Sequence, residues 1–166
     1  MAPEQSDDQA SGIKAAAVDL RPENPDSDVA RWCLQQYYRE LAERFEGGFD
    51  PNVKAYAGAP SHVHCIVAWR QGAAAGCGSL LWSELSMGEI KRMWVSPSVR
   101  GLGVARRMLL GLEDAARVAG LQALRLDTNR VLAEAHALYR SAGYAEIARY
   151  SDNPYAHHWF GKTLAP

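Results

Sequence analysis

The apolar residues of this chain recur at two different spacings, which alternate along the sequence. Spacings of three and four residues, typical of one helix face, predict helices over about 28–45, 103–119 and 132–143. Gly120 and Gly143 follow the second and third segments, as glycines do where a helix ends in a left-handed residue. The pattern therefore predicts helices that are separated by stretches of another kind.

The stretches between the helices are short apolar or alternating runs bounded by turn residues, which predict β-strands. These strands are expected over 13–20, 63–70, 73–85, 88–97, 121–128, 144–150 and 156–164. Gln71 and Gly72 form the turn of a hairpin, and 46–62 is an irregular loop whose length is typical of functional loops. Because strands flank a central helix, the order predicts an α/β domain built on a mixed sheet.

Length and composition fit one domain of ordinary size. The chain has 166 residues, 48% of them apolar, and a formal net charge of -1. Residues 1–11 are polar, so we expect a disordered tail ahead of a single domain over 12–166. The charge does not favour nucleic-acid binding, and no apolar run is long enough to span a bilayer. The first residues lack the regions of a signal peptide, so a cytoplasmic location is expected.

The spacing of the cysteines and histidines gives little indication of disulfide bonds or of a metal site. Cys33, Cys65 and Cys77 are an odd number without paired spacing, so we expect small buried apolar residues in a reducing compartment. A metal site would need ligands that converge from separate strands. The candidates are His62, His64, His157 and His158. A metal-binding domain is a weaker alternative, and no metal is expected.

The segment VSPSVRGLGVAR, residues 95–106, places a glycine-rich turn between a strand and a helix. The first N–H groups of a helix lack internal partners and attract anions, and glycines let an anion approach the backbone. Arg106 and Arg107 stand in the first turn, where basic side chains oppose the helix dipole by about 0.3–1 kcal/mol each. An anion bound at Gly101 and Gly103 would compensate them; simple solvation of both arginines is the alternative.

Two familiar nucleotide motifs do not match this loop. The dinucleotide fingerprint needs a glycine or alanine three places after the second glycine, where this chain has Arg106. The phosphate loop of nucleoside triphosphatases needs Gly-Lys followed by Ser or Thr, and the loop lacks it. The sequence therefore disfavours both nucleotide classes as the ligand.

The loop and two further segments resemble the GNAT superfamily of N-acetyltransferases. Arg100, Gly103 and Ala105 satisfy the acetyl-CoA loop of that family, in which Arg or Gln precedes a spaced glycine and a small residue. The preceding strand EIKRMWV and the later helix EAHALYRSAGY are also typical of the family. The resemblance covers about residues 13–164 and implies a mostly antiparallel sheet with one splayed parallel pair, flanked by about four helices.

The resemblance implies acetyl-CoA as cosubstrate and assigns it to particular residues. The backbone of Met93, Trp94 and Val95 would pair with the pantetheine arm like an added strand. The loop residues that would cradle the pyrophosphate are Arg100, Gly101, Leu102, Gly103, Val104, Ala105 and Arg106. Many relatives also hold the pantetheine through an Asn where this chain has Leu132, and Asn129 is the substitute in this sequence.

The resemblance also implies two catalytic side chains. Tyr139 would lie near the coenzyme sulfur, which its hydroxyl would protonate as the thiolate departs. Glu89 would act as general base, because an alkylamine with a pKa of about 10.4 must lose a proton before it attacks a thioester. Each has a structural alternative: Tyr139 as part of an apolar helix stripe, and Glu89 as a solvated residue at a strand start.

The acceptor side in the family is usually built from the first helix, the loop after it and the last strands. Here those segments are 44–51 and 151–160. The candidate acceptor-binding residues are Phe45, Phe49, Asp50, Trp82 and Tyr155. Their rings offer apolar surface and the carboxylate offers charge to an ammonium group, with membership of the core as the alternative for each ring.

The residues and the resemblance together predict an acetyl-CoA-dependent N-acetyltransferase that works by direct transfer in a ternary complex. We expect the acceptor to be a primary amine, on a small molecule or amino acid rather than on a protein. An acetyltransferase of protein N-termini or lysines is one alternative, and a non-catalytic acyl-CoA sensor is another. No nucleic-acid or membrane partner is expected, and a homodimer stays open.

Overall fold

A seven-stranded sheet organises the computed structural model, which describes residues 17–53 and 59–165. Its strands are β1 (Val18–Glu23), β2 (His62–Arg70), β3 (Ala73–Trp82), β4 (Gly88–Val95), β5 (Ala123–Thr128), β6 (Ala145–Glu146) and β7 (His158–Thr163). The expected tail over 1–11, the first part of the strand predicted over 13–20 and loop positions 54–58 lie outside the described residues. The predicted mixed α/β architecture is confirmed.

Three α-helices pack on the sheet in the part of the chain that the structure describes. They are α1 (Asp28–Arg44), α2 (Val104–Ala119) and α3 (Ala133–Ser141), and a 3-10 turn (Pro97–Val99) precedes α2. The resemblance implies about four helices, so the described count is three with one additional short turn. The hydroxyl of Ser27 caps α1 by accepting the N–H of Ala30 at 3.2 Å. Among the described helices, none is both long and apolar enough to cross a bilayer.

The strand order is β1-β2-β3-β4-β5-β7-β6, and all neighbours are antiparallel except β4 and β5. This parallel pair is joined at two positions, where Gly88 faces Leu124 and Glu89 faces Arg125. Beyond them, within the described residues, β4 has no paired strand on its β5 side, so its outward N–H and C=O groups face a cleft. The implied splayed pair is confirmed.

A β-bulge bends β4 at the edge of this cleft. The register with β3 shifts between Cys77 and Ser79, so that Arg92 and Met93 stand opposite one residue of β3. Arg92 has a positive φ of 58°, a left-handed conformation that costs a non-glycine residue about 1–2 kcal/mol. Because a bulge raises the local twist, it helps β4 to diverge from β5.

Two strand boundaries differ from the sequence expectation, each for a local reason. β1 continues through Pro22 to Glu23, beyond the predicted end at residue 20, because β1 lies at the sheet edge and an edge strand tolerates a residue without an N–H. The strand predicted over 144–150 shortens to Ala145–Glu146. The chain after it is held by side chains instead, as when Ser151 Oγ donates to Asp127 at 2.8 Å.

The main core lies between α2 and the sheet. Leu109, Leu112 and Ala116 of α2 pack with buried leucines and isoleucines of β2, β3, β4 and β5. A buried ion pair ties α2 to β7, since Lys162 Nζ lies 3.0 Å from the Glu113 carboxylate. The three cysteines are free and buried, as their spacing predicts.

Candidate active site

Two cavities open beside the splayed end of β4, and they share part of their walls. The larger cavity has a volume of about 530 Å³ and the smaller cavity has a volume of about 330 Å³. The residues that line both are Tyr37, Met93, Leu132, Ala135 and Tyr139. The two cavities are therefore adjacent at this shared wall.

The smaller cavity is formed by the end of β4, the loop after it, the first turn of α2, and faces of α1 and α3. Its predicted coenzyme residues are Met93, Trp94, Val95, Arg100, Gly101, Gly103, Val104, Ala105, Arg106 and Tyr139. Leu102 is not among them, because its side chain packs with the buried cluster of Val18, Ala68 and Val99. Most of this wall thus comes from one continuous segment of chain.

The loop and the start of α2 form an anion cradle. Gly101 and Gly103 both have a φ of +77°, and a Cβ placed on either would meet no atom within 4 Å. Within the described residues, no side chain caps α2 and its first turn holds no acidic residue. The N–H groups of that turn are therefore available, and the helix dipole adds partial positive charge. These residues fit the pyrophosphate of acetyl-CoA.

The two arginines of this first turn bind other parts of the protein. Arg106 Nη1 donates to Ser141 Oγ of α3 at 2.9 Å, and Arg107 Nη1 donates to the backbone oxygen of Val18 at 2.9 Å. Each side chain ties α2 to a neighbouring element. The anion cradle therefore depends first on backbone N–H groups, and less on these two guanidinium groups than their sequence position suggests.

Four charged side chains form an ion-pair chain around the smaller cavity, and all four line it. Arg100 pairs with Glu40 of α1, and its Nε donates to the backbone oxygen of Val95 at 2.9 Å. Arg44 of α1 lies 3.6 Å from Glu40 and also pairs with Glu134 of α3, whose carboxyl pKa it lowers. This ion-pair chain, Arg100–Glu40–Arg44–Glu134, joins the glycine loop to α1 and α3.

Tyr139 lies where the two cavities meet and is buried there. Its ring packs against Tyr144 and Phe160, with ring centroids 5.9 and 6.2 Å away. Burial raises the pKa of the Tyr139 phenol far above its usual value, and the negative charge of Asp127 raises it further. The hydroxyl therefore stays protonated at neutral pH and can donate a proton.

Aromatic rings line one side of the larger cavity. This aromatic wall consists of Tyr37, Tyr38, Phe45, Phe49 and Tyr155. The Phe49 ring lies 4.9 Å from Tyr155, 5.3 Å from Tyr38 and 5.9 Å from Phe45. The Tyr155 hydroxyl accepts the backbone N–H of Asp50 at 2.9 Å, which pins the loop after α1 to the segment before β7. Three of the predicted acceptor residues, Phe45, Phe49 and Tyr155, thus come together.

The other two predicted acceptor residues, Asp50 and Trp82, lie outside the wall of the larger cavity. The Asp50 carboxylate accepts the N–H of Asn52 at 2.9 Å and so serves the turn of its own loop. Trp82 ends β3 and stacks on His62, its neighbour in register on β2, at 5.0 Å. Both side chains therefore have local structural partners.

A charged cluster lies beside the larger cavity, and two of its three members line it. Lys91 Nζ lies 3.2 Å from Glu89 Oε1 and 3.3 Å from Asp127 Oδ1. Asp127 also accepts hydrogen bonds from Ser151 Oγ at 2.8 Å and from Asn153 Nδ2 at 3.2 Å. We call Glu89, Lys91 and Asp127 the carboxylate cluster; it joins β4 to β5 just where the two strands separate.

Glu89, the expected general base, is a buried member of the carboxylate cluster. Tyr150 donates its hydroxyl to Glu89 Oε1 at 2.9 Å, and burial together with the Glu89 charge raises the pKa of Tyr150. Glu89 lines neither cavity, whereas Lys91 and Asp127 both line the larger one. The carboxylate that faces the cavity is therefore that of Asp127.

Asn129, which the resemblance suggests as a pantetheine ligand, lines the larger cavity and not the smaller one. Its Nδ2 donates to the backbone oxygen of Tyr155 at 2.7 Å, and its Oδ1 accepts the N–H of Val131 at 3.0 Å. Both polar atoms of the amide therefore form hydrogen bonds within the protein, and these bonds hold the chain that follows β5. Leu132, which stands at the usual Asn position of the family, is an apolar part of the shared wall.

A comparison with known proteins decides the family. The sequence profile of the "Acetyltransferase (GNAT) family" matches residues 28–144. This chain belongs to the GNAT acetyltransferase family. The GNAT chain is 35% identical over 130 residues to an IAA acetyltransferase of Azospirillum brasilense, a match that covers 78% of this chain and 85% of the relative.

A second relative and a solved structure agree with this assignment. The GNAT chain is 31% identical over 129 residues to an aminoalkylphosphonate N-acetyltransferase of Salmonella typhimurium, over 75% of this chain and 80% of that one. A solved structure described as an acyl-CoA N-acyltransferase from Klebsiella pneumoniae superposes with a TM-score of 0.72 at 25% identity, over 90% of this chain and 99% of the other. The protein is an acyltransferase enzyme.

Sequence reasoning missed the carboxylate facing the larger cavity of this GNAT enzyme, although a signal for it exists. Glu89 faces Arg125 across the parallel pair, so Lys91 and Asp127 follow as alternate residues on the same face of the sheet. Charged residues at alternate positions of two neighbouring strands predict a charged cluster beside the splay. The tyrosines of α1 and the ion-pair chain carry no comparable signal, because their partners are distant in sequence.

The histidines of this GNAT enzyme make local contacts. His136 and His158 have ring centroids 4.8 Å apart, and His158 Nδ1 lies 2.7 Å from Glu146 Oε1. Burial lowers the pKa of His136. In residues 17–53 and 59–165, no group of three or more histidine, cysteine or acidic side chains is placed to hold a metal ion.

Proposed function

We propose that this protein transfers the acetyl group of acetyl-CoA to the primary amine of a small molecule, directly within a ternary complex. One observation carries the proposal: two cavities meet at Tyr139, a buried phenol. Direct transfer needs the reacting atoms about 3–3.5 Å apart in an aligned geometry. A shared wall between a coenzyme cavity and an acceptor cavity meets that need without a covalent enzyme intermediate.

The smaller cavity fits acetyl-CoA, which supplies a thioester when it is bound. The backbone N–H groups of residues 101–106 cradle the pyrophosphate, since they lie at an uncapped helix N-terminus. The outward backbone groups of residues 93–95 bind the pantetheine amides as an edge strand binds an added strand. N–H groups of the same splayed strand are the donors available to negative charge on the thioester oxygen.

Tyr139 donates the proton that the departing sulfur needs. Its burial keeps the phenol protonated, and its place in both walls puts the hydroxyl group beside the transfer point. A thiol has a pKa of about 8.5, so a thiolate is a modest base and a weak acid suffices. The acceptor needs a base instead of an acid, since an alkylammonium has a pKa of about 10.4 and must lose a proton. The carboxylate cluster supplies the groups for that step.

The larger cavity favours a small acceptor with an apolar or aromatic part. Its volume of about 530 Å³ lies inside the range of about 300–1,000 Å³ that is usual for small-molecule sites. The aromatic wall suits stacking, and the cationic side chain of Arg92 also lines the cavity. The similarity to an aminoalkylphosphonate N-acetyltransferase supports a small amine that carries an acidic group.

The test is a screen of acceptors with the purified full chain. Acetyl-CoA is mixed with amino acids, aminoalkylphosphonates, arylalkylamines and lysine-containing peptides, and the release of free CoA thiol is followed against a control without amine. We expect release with at least one small amine, and saturable acetyl-CoA binding by calorimetry. Absence of coenzyme binding at high micromolar acetyl-CoA contradicts the proposal. Turnover of peptides alone assigns a protein acceptor instead.

A further inference from the structure

We propose that Asp127 is the general base of the transfer: its carboxylate binds the ammonium group of the acceptor and takes up one of its protons. The inference rests on the proposed function and assigns to Asp127 the step expected of Glu89. Glu89 then acts through Lys91, as a positioning residue.

Asp127 is placed to meet a ligand in the larger cavity. Its carboxylate lines the larger cavity, while its side chain is only 4% exposed, so a ligand in that cavity meets a largely desolvated anion. Tyr139 lines the same cavity, and the negative charge of Asp127 helps to raise the pKa of its phenol. The base and the proton donor therefore both border the space in which the acceptor would bind.

Hydrogen bonds hold the Asp127 carboxylate in place. Its Oδ1 is contacted by Lys91 and Asn153, whereas its Oδ2 accepts a bond from Ser151 alone among the described residues. Three donors fix the orientation of the carboxylate, and a carboxylate has about four acceptor positions. One position on Oδ2 is thus left for the N–H of an ammonium group.

The cation of Lys91 would repel an ammonium group if no carboxylate other than Asp127 balanced its charge. Its Nζ lies 3.2 Å from Glu89 as well as 3.3 Å from Asp127, so two carboxylates share its charge. When Asp127 takes a proton, Lys91 keeps an ionised partner in Glu89. Glu89 is accordingly a residue that positions and balances Lys91, and it has no contact with either cavity.

Other charged and titratable groups surround this site. They are Tyr37 on α1, Arg92 on β4, Tyr139 on α3, Tyr150, and Arg125, whose guanidinium carbon lies 4.0 Å above the Tyr150 ring. Burial raises the pKa of all three tyrosines far above the usual value, so they stay protonated between pH 6 and 9. The arginines stay charged throughout this range.

The proposed step balances in protons and electrons. An N–H bond of the ammonium breaks and an O–H bond forms on Asp127, which leaves a lone pair on the amine. A C–N bond then forms at the thioester carbonyl as the C–S bond breaks, and the sulfur takes the proton of Tyr139. The new amide nitrogen gives up its surplus proton to the Tyr139 phenolate, and Asp127 releases its proton to solvent.

The experiment compares three variants of the full chain: Asp127→Asn, Glu89→Gln and, as matched control, Asp152→Asn. Asp152 is a fully exposed carboxylate in the same segment of chain as Ser151. The acceptor is the amine with the highest kcat/KM in the screen. For Asp127→Asn we expect kcat/KM to fall at least about 10²-fold at pH 7, the size of a lost general base. Acetyl-CoA binding by calorimetry should stay within about twofold of wild type, which also shows that the variant is folded.

The pH dependence of kcat/KM distinguishes a general base from a residue that only positions it. Without Asp127 the amine must arrive unprotonated, so kcat/KM should rise about tenfold per pH unit from pH 7 to 9. The profiles of wild type, Glu89→Gln and Asp152→Asn should be nearly flat over this range. Binding of the amine to the CoA-loaded enzyme at pH 7 should also weaken at least tenfold in Asp127→Asn. A steep profile for Glu89→Gln with a flat one for Asp127→Asn overturns the assignment, whereas an inactive wild type overturns the proposed function itself.

Discussion

The two cavities that meet at Tyr139 are built in different ways. The smaller cavity presents backbone groups: an uncapped helix N-terminus, two left-handed glycines and the free edge of β4, with the ion-pair chain around them. The larger cavity presents side chains: the aromatic wall and, from the carboxylate cluster, Lys91 and Asp127. One cavity therefore offers chiefly groups that every residue carries, and the other offers groups that only particular residues carry.

This difference decides how substitutions should act. In a backbone-built cavity most side-chain changes are tolerated, and the sensitive positions are those where the backbone conformation itself is unusual. In a side-chain-built cavity the loss of one hydroxyl or carboxylate removes a binding or catalytic group outright. A single scaffold can thus keep one coenzyme while its acceptor changes, because substitutions that alter the side chains of one cavity leave the backbone groups of the other in place.

The largest effect in the comparison is expected at the shared wall, with Tyr139→Phe. Removing the hydroxyl takes away the proton for the departing sulfur but leaves the buried ring, so kcat should fall about 10²-fold, the lower range for general acid catalysis. The dissociation constant of acetyl-CoA, measured by calorimetry, should change less than twofold. Tyr144→Phe is the control, since its hydroxyl bonds the buried Glu113, away from both cavities. Equal losses of kcat in the two variants contradict the role of Tyr139.

The next largest effect is expected from Gly103→Ala, which tests whether the smaller cavity binds through backbone groups. The new Cβ meets no atom within 4 Å, so the penalty comes from the φ of +77° alone, about 1–2 kcal/mol. If the loop relaxes to avoid that conformation, acetyl-CoA should bind roughly tenfold more weakly. Gly120→Ala is the matched control: its φ is +83° with equally open space, but it lies at the other end of α2. The control should lose similar thermal stability and keep its coenzyme affinity.

The same difference explains which parts of the molecule the sequence predicts. More than half of the residues that line the smaller cavity come from one segment, 93–106, so the strand EIKRMWV, the spaced glycines and the helix after them predict most of this lining. Leu102 is one exception, because periodicity in a loop does not show which side chain turns into the core. Asn129 is the other exception, since it lines the larger cavity instead. The order of strands and helices was predictable for the same reason, since each element carries its own local pattern.

The larger cavity was predicted only in part, because its walls come from segments far apart in the chain. The rings of Phe45, Phe49 and Tyr155 were identified, but nothing local distinguishes them from Trp82, which packs on a neighbouring strand instead. The exposure of Glu89 could not be predicted either, since it depends on the register of β4 with β5. Long-range pairing, rather than propensity, decides which carboxylate of the cluster lines the larger cavity.

A smaller effect, limited to the larger cavity, is expected from Tyr155→Phe. The change removes the hydroxyl that accepts the Asp50 N–H at 2.9 Å, a bond of about 0.5–1.5 kcal/mol that fixes the loop after α1. The KM of the acceptor should rise about threefold to tenfold, while the coenzyme dissociation constant stays unchanged. Tyr38→Phe, in the same aromatic wall, is the control for loss of a hydroxyl. A matching loss of coenzyme affinity would mean that the two cavities are not separable.

The smallest effect has the opposite sign and concerns the one place where side chains govern the smaller cavity. The Arg100 guanidinium is paired with Glu40, so an incoming phosphate competes with a carboxylate for the same cation. Glu40→Gln weakens this competitor, and an exposed ion pair contributes about 0.2–1 kcal/mol. Acetyl-CoA should therefore bind up to about fivefold more tightly, with the largest gain at low salt, where charge pairing is least screened. Glu43→Gln, an exposed carboxylate on the same helix, should change nothing. Weaker binding in Glu40→Gln would show that Glu40 orients Arg100 for the coenzyme instead of competing with it, and the smaller cavity would then depend on side chains as the larger one does.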